Sequence, residues 1–252
     1  MRPLSLYAVV AYSFLYLPLL VLSVFSMNSS RFTQWEGFSL RWYAQAWADP
    51  ALREATLNSL LIGGAATAIA TVLGTLCAYA LWKRQSPRIT GTLYLSLMTP
   101  EIVTGVALLA FYQWLFRMLN LQLGMLTVIL AHVSFCLAYV VIVVIARLRT
   151  MDATFEEAAL DLGASELQAF YLVTLPQLLP AIVSAALLAF TISFDDFVIT
   201  SLVAGVDSET LPMVMYATAR RGISPVLNAV STIIVVGLGL LILASERLQT
   251  KV

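Results

Sequence analysis

Thr154-Phe-Glu-Glu-Ala-Ala-Leu-Asp-Leu-Gly163-Ala-Ser-Glu-Leu-Gln-Ala-Phe-Tyr-Leu-Val-Thr-Leu-Pro176 is a charged, doubly capped helical island between long apolar runs. Thr154 followed three residues later by Glu157 fits a capping box, hydroxyl to backbone N–H one way and carboxylate to backbone N–H the other. The pattern predicts a short helix from Phe155. Phe155, Ala158, Ala159 and Leu162 share one face, Glu156 and Asp161 lie elsewhere on the circumference, and Gly163 is placed to end the helix in the left-handed conformation. Ser165 with Gln168 repeats the box, so a second helix leaves after the glycine and stops or kinks by Pro176. By pattern alone the island is an amphipathic connector at a membrane surface.

Outward from it in both directions the chain is apolar. Of 252 residues, 60% are hydrophobic and only 11% charged, against roughly 25% charged in a soluble domain, which makes this an integral membrane protein. A formal net charge of zero leaves no basic stripe for phosphates and excludes nucleic acid as a partner. Cys77 and Cys136 sit in apolar runs without metal-ligand spacing, so both read as packing residues.

Six apolar runs are long enough to cross a bilayer. Leu6 to Met27 carries Pro18 and reads as an uncleaved first crossing, because it is longer than a signal-peptide core and no Ala-x-Ala-like site follows. Asp49-Pro50 reads as an N-cap and first helical residue for the second, which runs on from Asn58 to Trp82 with Gly63, Gly64, Gly74 and Ala78 for close packing. Ile89 to Phe116, interrupted at Thr99-Pro100-Glu101, is the third; Leu123 to Ala146 the fourth; Leu178 to Ala204 the fifth; Pro225 to Ala244, opened by Ser224, the sixth. Residues 28–49 alternate polar and aromatic, as a membrane–water interface requires, and Thr210-Leu-Pro212 predicts a short helix before Arg220-Arg221. No repeat or linker divides the chain, so one membrane domain, 1–252, is expected. Lys83, Arg84, Arg88, Arg147, Arg149, Arg247 and Lys251 lie on one side against Arg117 in the opposing short loop, which predicts that both termini and the 150–176 loop are cytoplasmic.

Glu101, Asp195 and Asp196 are carboxylates inside apolar runs with no lysine or arginine beside them. Such groups cost several kcal/mol at membrane depth unless paired or hydrated, so they mark an aqueous path, and an acidic path suits a cation. Adjacent residues of a helix point about 100° apart, so Asp195 and Asp196 share one narrow site only if the backbone breaks there. The competing reading makes either aspartate the cap of a discontinuous helix and Glu101 the acidic residue at the start of its own. His132 reads as a hydrogen-bonded packing residue. There is no Gly-x-x-x-x-Gly-Lys-[Ser/Thr] stretch, hence no P-loop for ATP.

Glu157-Ala158-Ala159, three residues, Gly163, nine residues, Val173, one residue, then Leu175-Pro176 resembles the EAA loop of the membrane subunits of bacterial ABC importers, with Val173 where isoleucine is usual. That resemblance implies an all-α permease of six crossings whose loop, about 150–176, forms a coupling helix in a groove of a cytoplasmic ATPase subunit. Small Ala158 and Ala159 would allow close approach, with Glu157 a polar anchor.

A longer resemblance covers nearly the whole chain. Asn28-Ser-Ser-Arg-Phe32, Trp35-x-Gly37-Phe-Ser, Arg41-Trp-Tyr43, Pro100-Glu-Ile-Val103, Ala131-His-Val-Ser-Phe-Cys136, Ser193-Phe-Asp-Asp196, Leu211-Pro212 and Ser224-Pro225-x-x-Asn228-Ala229 are similar to polyamine (putrescine and spermidine) importer permeases, the second of their two membrane subunits. It implies that Trp42, Glu101, Glu157, Ser193, Asp195 and Asp196 take part in uptake, Trp42 by offering its ring face near the outer mouth. Glu101 stands where those relatives usually carry aspartate. The implied assembly, in a bacterial inner membrane with its lipid, is this chain, a homologous second permease, two ATPase subunits that bind ATP and magnesium, and a periplasmic substrate-binding protein; this chain is not itself an enzyme and needs no cofactor. Two other readings are an ABC permease for another cationic or small organic solute, and a proton-coupled secondary transporter using His132, Glu101 and Asp195, which would require inverted-repeat halves.

Overall fold

The computed structural model describes residues 3–32, 34–84, 86–119, 122–222 and 224–249, with side chains from 5 to 240 among them. The helices are α1 (Pro3–Phe25), α2 (Arg41–Ala48), α3 (Pro50–Lys83), α4 (Pro87–Met98), α5 (Glu101–Leu119), α6 (Met125–Leu148), α7 (Thr154–Asp161), α8 (Glu166–Ala169), α9 (Leu175–Asp195), α10 (Val198–Val203), α11 (Leu211–Arg220) and α12 (Pro225–Gln249). A π-helical segment, Phe170–Thr174, joins α8 to α9. Among the described residues the only β pairing is an isolated bridge between Asn28 and Phe38.

Among the described residues, five helical stretches are long and apolar enough to cross a membrane: Ser5–Phe25, Pro50–Lys83, Glu101–Leu119, Met125–Leu148 and Glu166–Asp195. The sixth expected crossing is helical over the 25 residues of α12, apolar through Pro225–Leu240. The third run breaks at Thr99-Pro100, where the sequence interrupts it, into α4, whose 12 residues reach only about 18 Å and cannot span, and α5, which alone makes the crossing. The fifth stops at Asp195 and resumes at Val198.

Pro176 does not stop the helix either. Proline lacks an N–H and its ring crowds the carbonyl four residues back. The chain widens into the π segment just before it, where the Leu175 N–H reaches Phe170 O, and helical winding carries on from Glu166 to Asp195.

The structure groups into two compact units, Met1–Leu57 with Met213–Leu243 and Asn58–Pro212 with Ala244–Val252. In the first, no described residue of α1 is fully buried, though Phe25 packs edge-on against the Trp35 ring. The chain then turns on Asn28, whose Nδ2 donates to Gln34 O at 2.7 Å while its Oδ1 accepts from the Glu36 N–H at 3.1 Å and the Ser30 N–H at 3.3 Å.

In the second unit α6 is the central helix. Val140, Val141, Val144, Leu148 and Cys136 on α6 pack with Ala70, Ala78 and Leu81 of α3 and Leu178, Ala185 and Ala189 of α9. Lipid gives helices no hydrophobic drive to associate, so dispersion between closely approaching surfaces must hold them, and small residues permit that approach. A Cβ on Gly74 would sit 2.6 Å from Val140 Cγ1, whereas Gly64 faces open space and is not part of the packed seam. At the other end of α6, Val128 and Ala131 meet Ile62, Tyr112, Ile199 and Val203. This second cluster fixes α10 against α5 and α6, and so decides where the break after α9 sits.

Candidate functional site

The break between α4 and α5 and the break between α9 and α10 open on the same cavity. It measures about 640 Å³ and is lined by Thr99, Pro100, Glu101 and Thr104 from the first break, Asp195, Asp196 and Phe197 from the second, and Phe135 and Tyr139 from α6, among others. Three carboxylates, one distant and two adjacent in sequence, thus converge on one space, and among the described residues no lysine or arginine lines it. The volume lies in the range of small-molecule pockets. Carboxylates beside aromatic rings are the combination that receives an alkylammonium, charge to charge and methylene to ring.

The two aspartates differ in what they can offer. Asp195 is the last residue of α9 and is exposed to the cavity. Asp196 is extended, with φ −66° and ψ 125°, and turns back to cap α10: Oδ2 accepts the Thr200 N–H at 2.8 Å and its hydroxyl at 2.7 Å, and Oδ1 accepts the Ile199 N–H at 3.3 Å. The backbone break that would let both face one site is therefore present, and it uses Asp196 as its own polar cap. Glu101 occupies the first turn of α5, where the helix dipole favours a negative charge, and also lines the cavity.

Ser193 and Trp42 are placed otherwise. Ser193 is buried and bonds His132 Nδ1 at 2.7 Å, and it does not line the cavity. Trp42 is only 2% exposed; its indole N–H donates to Asn28 O at 2.6 Å, and the Arg41 guanidinium lies 4.1 Å from its ring centroid. Its ring is not open to a passenger in this conformation. The geometry shows Trp42 tying α2 to the Asn28 turn.

The 150–176 loop forms two helices around a glycine, with one correction to its start. Thr154 is already helical, and the backbone N–H of Thr154 is taken by Asp152 Oδ1 at 3.0 Å, so the expected Thr154–Glu157 box does not form. Gly163 adopts φ +89°, and the bonds from Ala164 N to Ala159 O at 3.1 Å and Gly163 N to Leu160 O at 2.9 Å complete a Schellman close. The Ser165–Gln168 box is formed in both directions, at 3.3 and 2.9 Å. Glu157 and Ala158 are exposed, Ala159 half-buried, and Pro176 exposed at the start of α9. Phe155 and Leu162 project outward from α7 at 58% and 90% exposure and Leu167 from α8 at 70%, so among the described residues nothing covers these apolar side chains.

What holds α7 in place is a residue the sequence reading passed over. Glu156 is buried and accepts from Tyr79 Oη at 2.7 Å and Thr174 Oγ1 at 2.9 Å, and its carboxylate lies 2.7 Å from Lys83 Nζ. Burial pushes this carboxyl up, but the hydrogen bonds from Lys83, Tyr79 and Thr174 and the charge of Lys83 outweigh it and hold the group below its ordinary 4.5. The Lys83 ammonium also lies 5.0 Å from the Trp82 ring centroid. One side chain therefore fastens α7 to the end of α3 and to the π segment leading into α9. The sequence placed Glu156 only off the apolar stripe of Phe155 and Leu162, about 100° round the helix, and carried no local signal for its partners.

Residues 70–252 match the family described as binding-protein-dependent transport system inner membrane component, and the chain belongs to that family. Among its relatives, the putrescine transport system permease protein PotI of Escherichia coli (strain K12) is 42% identical over 236 residues, covering 91% of this chain and 84% of that one. The spermidine/putrescine transport system permease protein PotC of Haemophilus influenzae is 40% identical over 246 residues, covering 96% and 94%. In fold, the chain is similar to a solved bacterial ABC transporter involved in import of the acidic polysaccharide alginate, at TM-score 0.76, 14% identity and coverage of 100% and 96%. A likeness at TM-score 0.69 and 17% identity joins it to the MetNI methionine ABC transporter, covering 82% and 97%.

Proposed function

We propose that this chain is the permease subunit of an ATP-driven importer that carries polyamines, putrescine or spermidine, into the cytoplasm. The observation that carries the reading is the convergence of Glu101, Asp195 and Asp196 on one cavity without a basic residue in its lining. Relatives of 40% identity or more, named for putrescine and spermidine/putrescine transport, support the passenger.

A polyamine loses hydration as it leaves water, and a cavity of fixed carboxylates returns that stabilisation group by group. Asp195 and Glu101 supply charge, and Phe135, Tyr139 and Phe197 supply surface for methylenes. Asp196, occupied by α10, shapes the wall more than it grips the passenger. Tight selection belongs to a separate periplasmic binding protein.

Energy enters at the other end. α7, with Glu157 and Ala158 outward, Ala159 half-buried beside them and Gly163 closing it, docks on a cytoplasmic ATPase subunit, and both termini lie on that same side. The assembly contains a homologous second permease and two ATPase subunits, which bind ATP and magnesium and do the covalent chemistry. ATP binding draws the ATPases together, α7 moves with its partner, and the Glu156 tether passes the displacement to α3 and, through the π segment, to α9, whose far end lines the cavity.

The test is ATP-dependent putrescine and spermidine uptake by the complete transporter in membrane vesicles. Glu101→Gln with Asp195→Asn should abolish saturable uptake at unchanged subunit levels; uptake that persists, or that follows a proton gradient after ATP is depleted, overturns the proposal.

A further inference from the structure

His132 is the one histidine in the chain, it is fully buried on α6, and both of its ring nitrogens are engaged. Nδ1 lies 2.7 Å from Ser193 Oγ, in the last turn of α9, and Nε2 lies 2.9 Å from Thr200 Oγ1, on α10. The imidazole thus bridges the gap where the helix breaks between Asp196 and Phe197.

The direction of each bond follows from counting protons. Thr200 has one hydroxyl hydrogen, and its Oγ1 lies 2.7 Å from the Asp196 carboxylate, an acceptor only. Thr200 therefore accepts from the ring, which places a proton on Nε2; in the neutral imidazole Nδ1 then accepts from Ser193. The chain of donors runs Ser193, His132, Thr200, Asp196, complete with a neutral ring. Asp196 Oδ2 lies a further 3.5 Å from Nε2, so the ring also stands beside the carboxylate it helps orient.

We propose that His132 is a positioning residue of the cavity: by holding Ser193 before the break and Thr200 after it, it fixes the angle between α9 and α10, turns the Asp196 carboxylate into α10 and leaves Asp195 facing the passenger. The proposal rests on the polyamine importer reading for the identity of that passenger, but the geometry it asserts is independent of it. His132 does not line the cavity.

Two readouts test it in the complete transporter in vesicles. The first is uptake kinetics: His132→Ala should raise the KM for putrescine about tenfold with Vmax per assembled complex little changed, and His132→Gln, which keeps a donor near the Nε2 position, should recover much of the loss. The second needs no knowledge of the passenger. With Cys77 and Cys136 replaced by alanine, a Val198→Cys substitution puts a thiol on the cavity wall just after the break. Its reaction rate with a cationic, water-soluble thiol reagent should shift several-fold on His132→Ala and return with His132→Gln. If His132→Ala does not assemble, Thr200→Val, which removes the hydroxyl on the other arm, is read in the same two ways. Wild-type KM together with wild-type labelling in the Ala or Val variant overturns the proposal. A parent complex that imports no polyamine overturns the function instead, and the labelling shift still decides the role of His132.

Discussion

A carboxylate that already accepts two backbone N–H groups and a hydroxyl has little capacity left for a passing cation, and Asp196 is in that state while Asp195, one residue earlier, is not. The two positions should therefore respond differently to neutralisation. Asp195→Asn is expected to raise the KM for polyamine about tenfold, an effect of about 1.4 kcal/mol, with normal amounts of protein in the membrane. Asp196→Ala is expected to cost about 1 kcal/mol of stability through the lost cap, seen as a lower melting temperature of the detergent-solubilised assembly. Glu156 yields a third prediction. Its carboxyl is held below the ordinary carboxylate value, so the tether contributes fully above about pH 4.5 and is lost as pH falls through the folded value. Glu156→Gln should remove most of that acid sensitivity from the thermal melting profile, and at neutral pH should lower stability by about 1–3 kcal/mol.

Among the elements, α7 and α3 carry the mechanical argument. Gly163 closes α7 at φ +89°, a conformation that costs an L-residue roughly 1–2 kcal/mol. Gly163→Ala should loosen the link between hydrolysis and transport, measured as more ATP consumed per polyamine imported. α3 tests the packing account, because no side chain fits where Gly74 meets Val140. Gly74→Ala should destabilise the subunit by about 1–3 kcal/mol, read from the melting temperature of the purified assembly, and adding Val140→Ala should not restore it, because the new Cβ would still stand 2.8 Å from the Cβ at position 140.

Across the molecule, what could be read from sequence was what periodicity and capping encode locally. The apolar runs gave the crossings, Ser165 with Gln168 gave the second cap, and Gly163 gave the left-handed close, since each depends on neighbours within a turn or two. The acidic residues were legible as costly charges, and their convergence on one cavity needed the fold. What escaped depended on distant partners. Nothing near Glu156 announces Tyr79 and Lys83, some seventy positions away, and nothing near Ser193 announces the histidine on α6. Trp42 looked available because the resemblance implied a ring face open near the outer mouth, and here the Arg41 guanidinium lies over that ring while Asn28 O takes the indole N–H at its edge. The Thr154 box failed because Asp152, two residues upstream, offers the nearer acceptor.

The central claim is that α7 lies on the cytoplasmic side and takes its motion from an ATPase. Leu162, 90% exposed at the tip of that helix, is the position at which to test it. A Leu162→Cys substitution carrying a short photo-crosslinker, in vesicles of known orientation with the whole transporter present, should link to the ATPase subunit and be reached by reagent only from the cytoplasmic face. Labelling from the periplasmic face, or crosslinks that never include a nucleotide-binding subunit, would contradict the account.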